Sequence, residues 1–390
     1  MYEQQQFWTQ FNARIDFTQL RRETTNKQRA ELLRSLPSRS FDSISVHGAQ
    51  NEDLLELVTA LGTFGSLRCL ALRCCGCGDT ALQQLLANFG GRLHRLELVS
   101  CNELSDGAHW SAMCAQLRQL LIADCINVAD ETIAAIGQTL PRLVELSVQA
   151  YHVSDQCFQY LRSGSGGGGV DGGSTIGNDP ASGNSSLDET DSWPNGVGGG
   201  VGNALRVLRL NNCWELSNHA VSQVALCLPQ LRHLSLSGCS KITDDAVEVI
   251  AEQMQCLQHL DLSWCGRISD GALEFIACDL AKSLIELILD RCINITDNGL
   301  GFVATMSRLE VLSIRWCPHV HDFGLQTLCT MSKLRRLSLA GCSTITPNAL
   351  GCLKQLKALE ELELTNCPAA TPELIVYLQQ QFSHKCSIVK

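Results

Sequence analysis

Residues 231–250 read LRHLSLSGCSKITDDAVEVI, and this stretch decides the fold. Leu234 and Leu236 alternate with polar residues, the pattern of a strand with one apolar face, while Val247 and Ile250, three apart, mark the buried side of a short helix. Thr243 stands where a helix N-cap is expected, and Asp244 falls in the first turn, where the helix dipole favours a carboxylate. Two other places test that register. Proline follows threonine in Thr346-Pro347 and Thr371-Pro372, and the first helical position is where proline forfeits no hydrogen bond.

The same block recurs on both sides. Downstream copies run Leu257, Leu260, Leu262, Cys265; then Leu284, Leu287, Leu289, Cys292; then Leu309, Leu312, Ile314, Cys317; two more end at Cys342 and Cys367. Upstream copies end at Cys75, Cys101, Cys125 and Cys213, while Leu143, Leu146 and Val148 carry Tyr151 in the cysteine slot, and a degenerate first copy is Phe41, Ile44, Val46, Ala49. About twelve repeats of roughly 24 to 27 residues lie within the period of leucine-rich repeats. A single strand and helix of this size cannot bury a core, so the units stack. The expected fold class is therefore α/β: an open solenoid with a parallel sheet on the concave face and short helices on the convex face. The cysteine fills the strand-to-turn corner, where a small apolar side chain with a weak S–H donor fits. Corners about 4.8 Å apart with parallel Cβ vectors make poor disulfide geometry.

The repeat reorganises the composition. A chain of 390 residues has room for two or three ordinary domains, yet the pattern leaves one array with four segments: 1–40 as an N-terminal cap, 41–162 as repeats one to five, 163–203 as an insertion, and 204–390 as repeats six to twelve with a C-terminal cap. The insertion holds 14 of the 31 glycines, five acidic residues and no Lys or Arg, a composition expected to be disordered. Its Ser186, with Glu189 three residues on, suits an acidophilic kinase; an unregulated acidic spacer is the simpler expectation. The polar start and the lack of any run approaching the roughly 18 to 20 apolar residues of a spanning helix point to a soluble intracellular chain, cytoplasmic or also nuclear, without membrane contact. With 21 cysteines and no secretory leader, reduced thiols are expected. The net charge of −10 argues against a nucleic-acid partner, which requires clustered Lys and Arg.

The recurring form Leu-x-x-Leu-x-Leu-x-x-Cys-x-x-Ile-Thr-Asp, with stretches such as Asp261-Leu262-Ser263-Trp264-Cys265 and Glu361-Leu362-Glu363-Leu364-Thr365-Asn366-Cys367-Pro368, resembles the cysteine-containing repeats of the F-box and leucine-rich-repeat protein family. The resemblance covers nearly everything outside the insertion. It implies a substrate-recognition component of an SCF-type (Skp-cullin-F-box) E3 ubiquitin ligase in ubiquitin-dependent degradation, in which an F-box holds the cullin ligase's adaptor, the repeats hold the target and other subunits transfer ubiquitin. Only Tyr2 to Trp8 resembles the tail of an F-box, so no adaptor-contacting residue carries over, and adaptor binding is expected only of a longer form with the complete F-box. A ligase-independent scaffold or competitive binder is the alternative.

No enzyme activity and no cofactor are expected. His321-Asp322-Phe323-Gly324 contains a kinase-like triplet but falls in the Thr-Asp-x-Gly slot of a repeat, without a glycine loop or lysine strand. His319 and His321 lack further metal ligands. Cys69, Cys74 and Cys77 are spaced like a zinc cluster, yet the register sends Cys77 into the core and the other two to the concave side, where zinc needs convergence. Gly166 to Gly169 has no following Gly-Lys-Ser/Thr and is no phosphate loop. Asn294-Ile295-Thr296 matches a glycosylation acceptor only by letter.

What remains is the concave face. The slot before the cysteine reads Asn212, Gly238, Trp264, Arg291, Trp316, Gly341 along successive repeats, so two tryptophans flank an arginine. A guanidinium between indoles makes cation–π contacts, and Trp and Arg are the residues most enriched at binding hot spots. Around them Arg209, Asn211, His233, His259, Asp261, Ser263, Asp290 and Arg315 are expected to form a mixed-charge polar rim for a protein target. Alternatively the slot closes the strand-to-loop turn, and the tryptophans pack on each other or on loops.

Overall fold

The computed structural model of the chain describes residues 12–36, 41–61, 66–149, 151–160, 204–382 and 385–390. The F-box-like Tyr2–Trp8, the 163–203 insertion with Ser186, Glu189 and its glycine run, and Ala150 lie outside the described residues. Among the described residues, fourteen strands form one parallel sheet in chain order. They are β1 (Asn12–Asp16), β2 (Ser43–His47), β3 (Cys69–Arg73), β4 (Arg95–Val99), β5 (Gln119–Ala123), β6 (Glu145–Gln149) and β7 (Val207–Asn211), followed by β8 (His233–Ser235), β9 (His259–Asp261), β10 (Glu286–Ile288), β11 (Val311–Ser313), β12 (Arg336–Ser338), β13 (Glu361–Glu363) and β14 (Ser387–Val389). The array is a leucine-rich-repeat solenoid, its helices on the face of the sheet that the leucines cover.

Each repeat stacks in register on the next. Leu234 pairs with Leu260, Leu260 with Leu287, Leu287 with Leu312, Leu312 with Leu337 and Leu337 with Leu362, and all are buried. The sheet continues from β6 to β7, Glu145 opposite Val207 and Gln149 opposite Asn211, so the chain resumes in phase after residue 203. At the N-terminal end, within the expected cap, the structure adds a strand: β1 pairs with β2 and is followed by helices Phe17–Glu23 and Asn26–Arg34. β1 lacks the Leu-x-x-Leu-x-Leu spacing, which is why the repeat pattern starts one strand too late.

The corner cysteines tie neighbouring repeats together. Cys239 Sγ donates to the Leu210 carbonyl at 3.1 Å, Cys265 to Leu236 at 3.2 Å, Cys292 to Leu262 at 3.1 Å and Cys317 to Leu289 at 3.3 Å. Burial pushes the Cys265 and Cys317 thiols up to about 12, which keeps the proton that the bond requires.

Helix starts form a second tie. The helix Asp244–Gln253 buries Ala246, Val247, Ile250 and Ala251, with Thr243 at its N-cap. The Thr243 hydroxyl does not cap, however; it meets Asn218 and Asp245 instead. Asp270 accepts the Thr296 amide and hydroxyl of the next repeat, Asp322 those of Thr346, and Asp244 those of Ser269. The first-turn aspartates thus bridge repeats besides complementing the helix dipole. Pro347 and Pro372 occupy the first helical turn, as their spacing predicts. One repeat slips: His109, which the register places in an apolar slot, is exposed and pairs with Asp106, while Trp110 fills the core.

Replacing Asp270 by alanine orphans the Thr296 amide and hydroxyl within a half-buried joint. A stability loss of about 2 kcal/mol is expected, read from urea unfolding of Asp270→Ala; a loss below about 0.5 kcal/mol would remove the aspartate ladder as a stabilising element.

Candidate functional site

Where the strands end, the residue before each cysteine turns the chain at positive φ. In most repeats this residue is small or polar: Ser100, Asp124, Asn212, Gly238, Gly341 and Asn366. Trp264 (φ +62°), Arg291 (φ +60°) and Trp316 (φ +58°) adopt the same conformation, which costs a bulky L-residue about 1–2 kcal/mol each. Backbone bonds to the following repeat impose it: the Trp264 amide donates to the Asp290 carbonyl, Arg291 to Arg315 and Trp316 to Ala340, at 2.7 to 2.8 Å. The slot therefore does close the strand-to-loop turn. Its side chains nonetheless stay in solvent, with Trp264 54% and Trp316 42% exposed.

The three side chains form one stack. Arg291 Cζ lies 4.3 Å from the Trp264 ring centre and 5.1 Å from that of Trp316. Gly341, at φ +71°, makes room for it: a Cβ there would fall 2.2 Å from Trp316 Cδ2. The lip that carries the stack bounds a groove of about 1140 Å³, with Arg209, Asn211, His233, His259, Asp261 and Trp264 among its lining residues. Six of the eleven sequence-expected residues thus share one groove, and Arg291 and Trp316 extend from Trp264 along its lip.

The floor is a connected polar network. The His233 and His259 rings stack at 4.9 Å, 20° apart, and His259 Nδ1 is 2.7 Å from Glu286 Oε2. The bond from His259 lowers the Glu286 pKa. Burial, with Arg209 and His259 adding repulsion, lowers His233 to about 4, so it is neutral at pH 7. The Ser235 hydroxyl lies 2.9 Å from both Asn211 Oδ1 and Asp261 Oδ2. Arg209 is held by Glu145.

Two expected rim residues are not on the rim. Ser263 is 0% and Asp290 5% exposed: once the strand ends, alternation no longer holds and the chain bends inward. Ser263 donates to Asp261, while Asp290 accepts from the Ser313 hydroxyl and the Arg315 amide. Burial raises the Asp290 pKa against the opposing pull of those bonds. Arg315 is half-buried and reaches Glu363 at 2.6 Å. Conversely, sequence reasoning missed Trp214, 52% exposed on the groove and 5.1 Å from the Tyr151 ring. Trp214 follows the cysteine, in a slot with no periodic signature. Glu286 was missed as well, although it occupies the strand position of His259 one repeat on.

The remaining candidates resolve into repeat chemistry. Cys77 is buried, Cys74 exposed and Cys69 intermediate, and among the described residues no three metal-ligating groups converge. Asp322 is a ladder aspartate and His321 the N-cap of its helix. The Asn294 amide donates to the Gly266 carbonyl at 2.8 Å. No helix of the described residues is long and apolar enough to cross a membrane.

Comparison with known proteins agrees with the fold. A family model described as Leucine Rich repeat matches residues 228–251 and 253–277. The chain is similar to a chain in the crystal structure of the Rad7 and Elc1 complex in yeast, with a TM-score of 0.53 and 17% identity over 82% of this chain and 68% of that one. It is also similar to an internalin (inlF) from Listeria monocytogenes, with a TM-score of 0.52 and 15% identity over 93% and 94% of the respective chains. At such identities the likeness establishes the architecture alone.

Two outcomes follow from this geometry. Gly341→Ala should displace the Trp316 ring and destabilise the chain by about 1–3 kcal/mol, seen as a denaturant shift with altered tryptophan emission; unchanged emission would contradict the stacked arrangement. Because folded His233 titrates near 4, below an ordinary histidine, the unfolded chain binds more protons between pH 6.5 and 4, and stability falls as pH drops through that window. His233→Gln should flatten that part of the stability curve.

Proposed function

We propose that the chain is a protein-binding module whose partner seats on the groove and its lip, with Trp264, Arg291 and Trp316 as anchors. One observation supports this most. Three bulky residues occupy a backbone conformation that neighbouring repeats give to Gly, Asn, Asp or Ser, and their stack covers no core but faces solvent. Strain of this kind clusters at functional sites, and an exposed Trp-Arg-Trp stack matches the composition of binding hot spots. The floor contributes register through His259, Asp261 and Asn211. No catalytic role is assigned to the His259–Glu286 pair, and the proposed chain is not an enzyme and needs no cofactor.

At a finer level the proposed role is target recognition in an SCF-type ubiquitin ligase, in the cytoplasm or nucleus. Its support is the resemblance of the cysteine repeats to F-box and leucine-rich-repeat proteins, most of all to F-box and leucine-rich-repeat protein sixteen. The similar chain from the Rad7 and Elc1 structure is likewise part of a two-protein complex. A ligase-independent scaffold is the second reading.

Asparagine is the informative substitution, because Asn212 and Asn366 already occupy the same slot at φ +55°. Trp264→Asn and Arg291→Asn should leave the unfolding midpoint unchanged or raise it, yet weaken partner capture by about 2 kcal/mol, measured by quantitative affinity purification against wild type. Equal recovery of every partner by both variants would move the site elsewhere. In the same experiment, co-purification of adaptor and cullin supports the ligase role, and their absence from a form carrying a complete F-box supports the scaffold.

A further inference from the structure

The lip opposite the tryptophans carries a second, chemically distinct surface. Backbone bonds align one residue per repeat where the strands begin: the His94 amide donates to the Arg68 carbonyl, Arg118 to His94, Val144 to Arg118, Arg206 to Val144 and Arg232 to Arg206, at 2.8 to 2.9 Å. Arg92 and Arg142 stand two residues upstream in the same turns. Six arginines thus line the entry edge of β3 to β8, a ridge of about 24 Å at about 4.8 Å per strand. The turns that carry them, residues 66–68, 90–94, 115–118, 140–144, 204–206 and 228–232, contain no Asp or Glu.

Five of the six charges meet no carboxylate among the described residues. Among the described residues, Arg68, Arg92, Arg118, Arg142 and Arg232 form no ion pair, unlike Arg335 further along the same edge, which sits between Glu310 and Glu360. Arg68 donates to the Arg92 carbonyl and Arg142 to the Gln116 amide oxygen, and Arg206 donates to the Leu205 carbonyl. In the same repeats Glu97 and Glu145 lie within strands and are held by Arg95 and Arg209, while Asp79 and Asp130 at the other lip bind Ser105 and Ser154. The net charge of −10 therefore conceals a segregated surface, and a charge total taken over the whole chain misses this clustering of arginine.

We infer that the arginine lip from Arg68 to Arg232 docks a carboxylate-rich segment of a partner protein, about seven extended residues long. Arginine presents a planar fork that takes a carboxylate through two parallel bonds, and the ridge length matches about seven residues at about 3.4 Å each. The turns offer no exposed aromatic ring on which a nucleic-acid base could stack. Their one exposed large apolar side chain, Val144, gives a bilayer little to bury.

The test titrates a fluorescein-labelled decaglutamate peptide into the full chain, with decaglutamine, a dT10 oligonucleotide and phosphatidylserine vesicles as parallel probes. Decaglutamate should bind at least tenfold tighter than each of the others and weaken as salt is raised. The triple variant Arg92→Ser, Arg118→Ser, Arg232→Ser should lose at least tenfold affinity at an unchanged melting temperature, whereas Lys333→Ser, Lys357→Ser, Lys385→Ser should stay within twofold. Equal loss in both triples means unspecific charge attraction and overturns the proposal. So does tighter binding of dT10 or vesicles through the same arginines, which makes the occupant a nucleic acid or a membrane. Binding that appears only after Asp171, Asp179, Asp188, Glu189 and Asp191 are changed to their amides makes the chain's own carboxylates the occupant and equally overturns it.

Discussion

Everything in this molecule depends on one constraint: a strand and a short helix leave their leucine face uncovered unless an equivalent unit lies on each side. Leu260 is buried because Leu234 and Leu287 stand opposite it in the ladder, not because of anything within its own repeat. The other ties follow that stacking. A thiol reaches the carbonyl of the preceding strand, an aspartate reaches the hydroxyl of the following helix start, and the turn residue at positive φ gives its amide to the next turn. Each bond crosses a repeat boundary, so the array gains cohesion from contacts that no isolated unit possesses.

The same stacking generates two lips with different chemistry. Strand exits meet helix N-termini, whose dipoles favour carboxylates, and strand entries follow helix C-termini, which favour cations. Aspartates are drawn inward at the exit lip as ladder residues, leaving its exposed character to the aromatic and guanidinium groups of Trp214, Trp264, Arg291 and Trp316. At the entry lip from β3 to β8, Arg68, Arg92, Arg118, Arg142 and Arg232 form no ion pair among the described residues. Between the lips, the groove floor is largely satisfied within itself: Arg209 by Glu145, His259 by Glu286, Asp261 by serine hydroxyls. Such a floor favours shape and register, while the less constrained lips provide anchoring.

Legibility from sequence tracks whether a position repeats. The buried leucines, the corner cysteines, Thr243, Pro347 and the Trp264–Arg291–Trp316 series recur at fixed intervals, and the structure places them where the interval implies. Features that occur once were not legible. β1 lacks the motif, the helix holding Trp110 slips by one residue, and Trp214 sits in a slot that repeats nothing. Ser263 and Asp290 mark a different limit: alternation along a strand is a reliable guide only while the chain remains a strand, and here it has already bent.

The sequence by itself therefore determined the period, the parallel stacking, the helix starts and the alignment of two tryptophans around an arginine, because each is a local preference repeated until it becomes unambiguous. Only the tertiary structure decided which polar groups remain in solvent, that the anchors stand at strained turn positions, and that a net acidic chain gathers six arginines along one edge. Those properties arise from distances between residues about 25 apart, repeated in space and invisible along the chain, and from desolvation that depends on every neighbour at once.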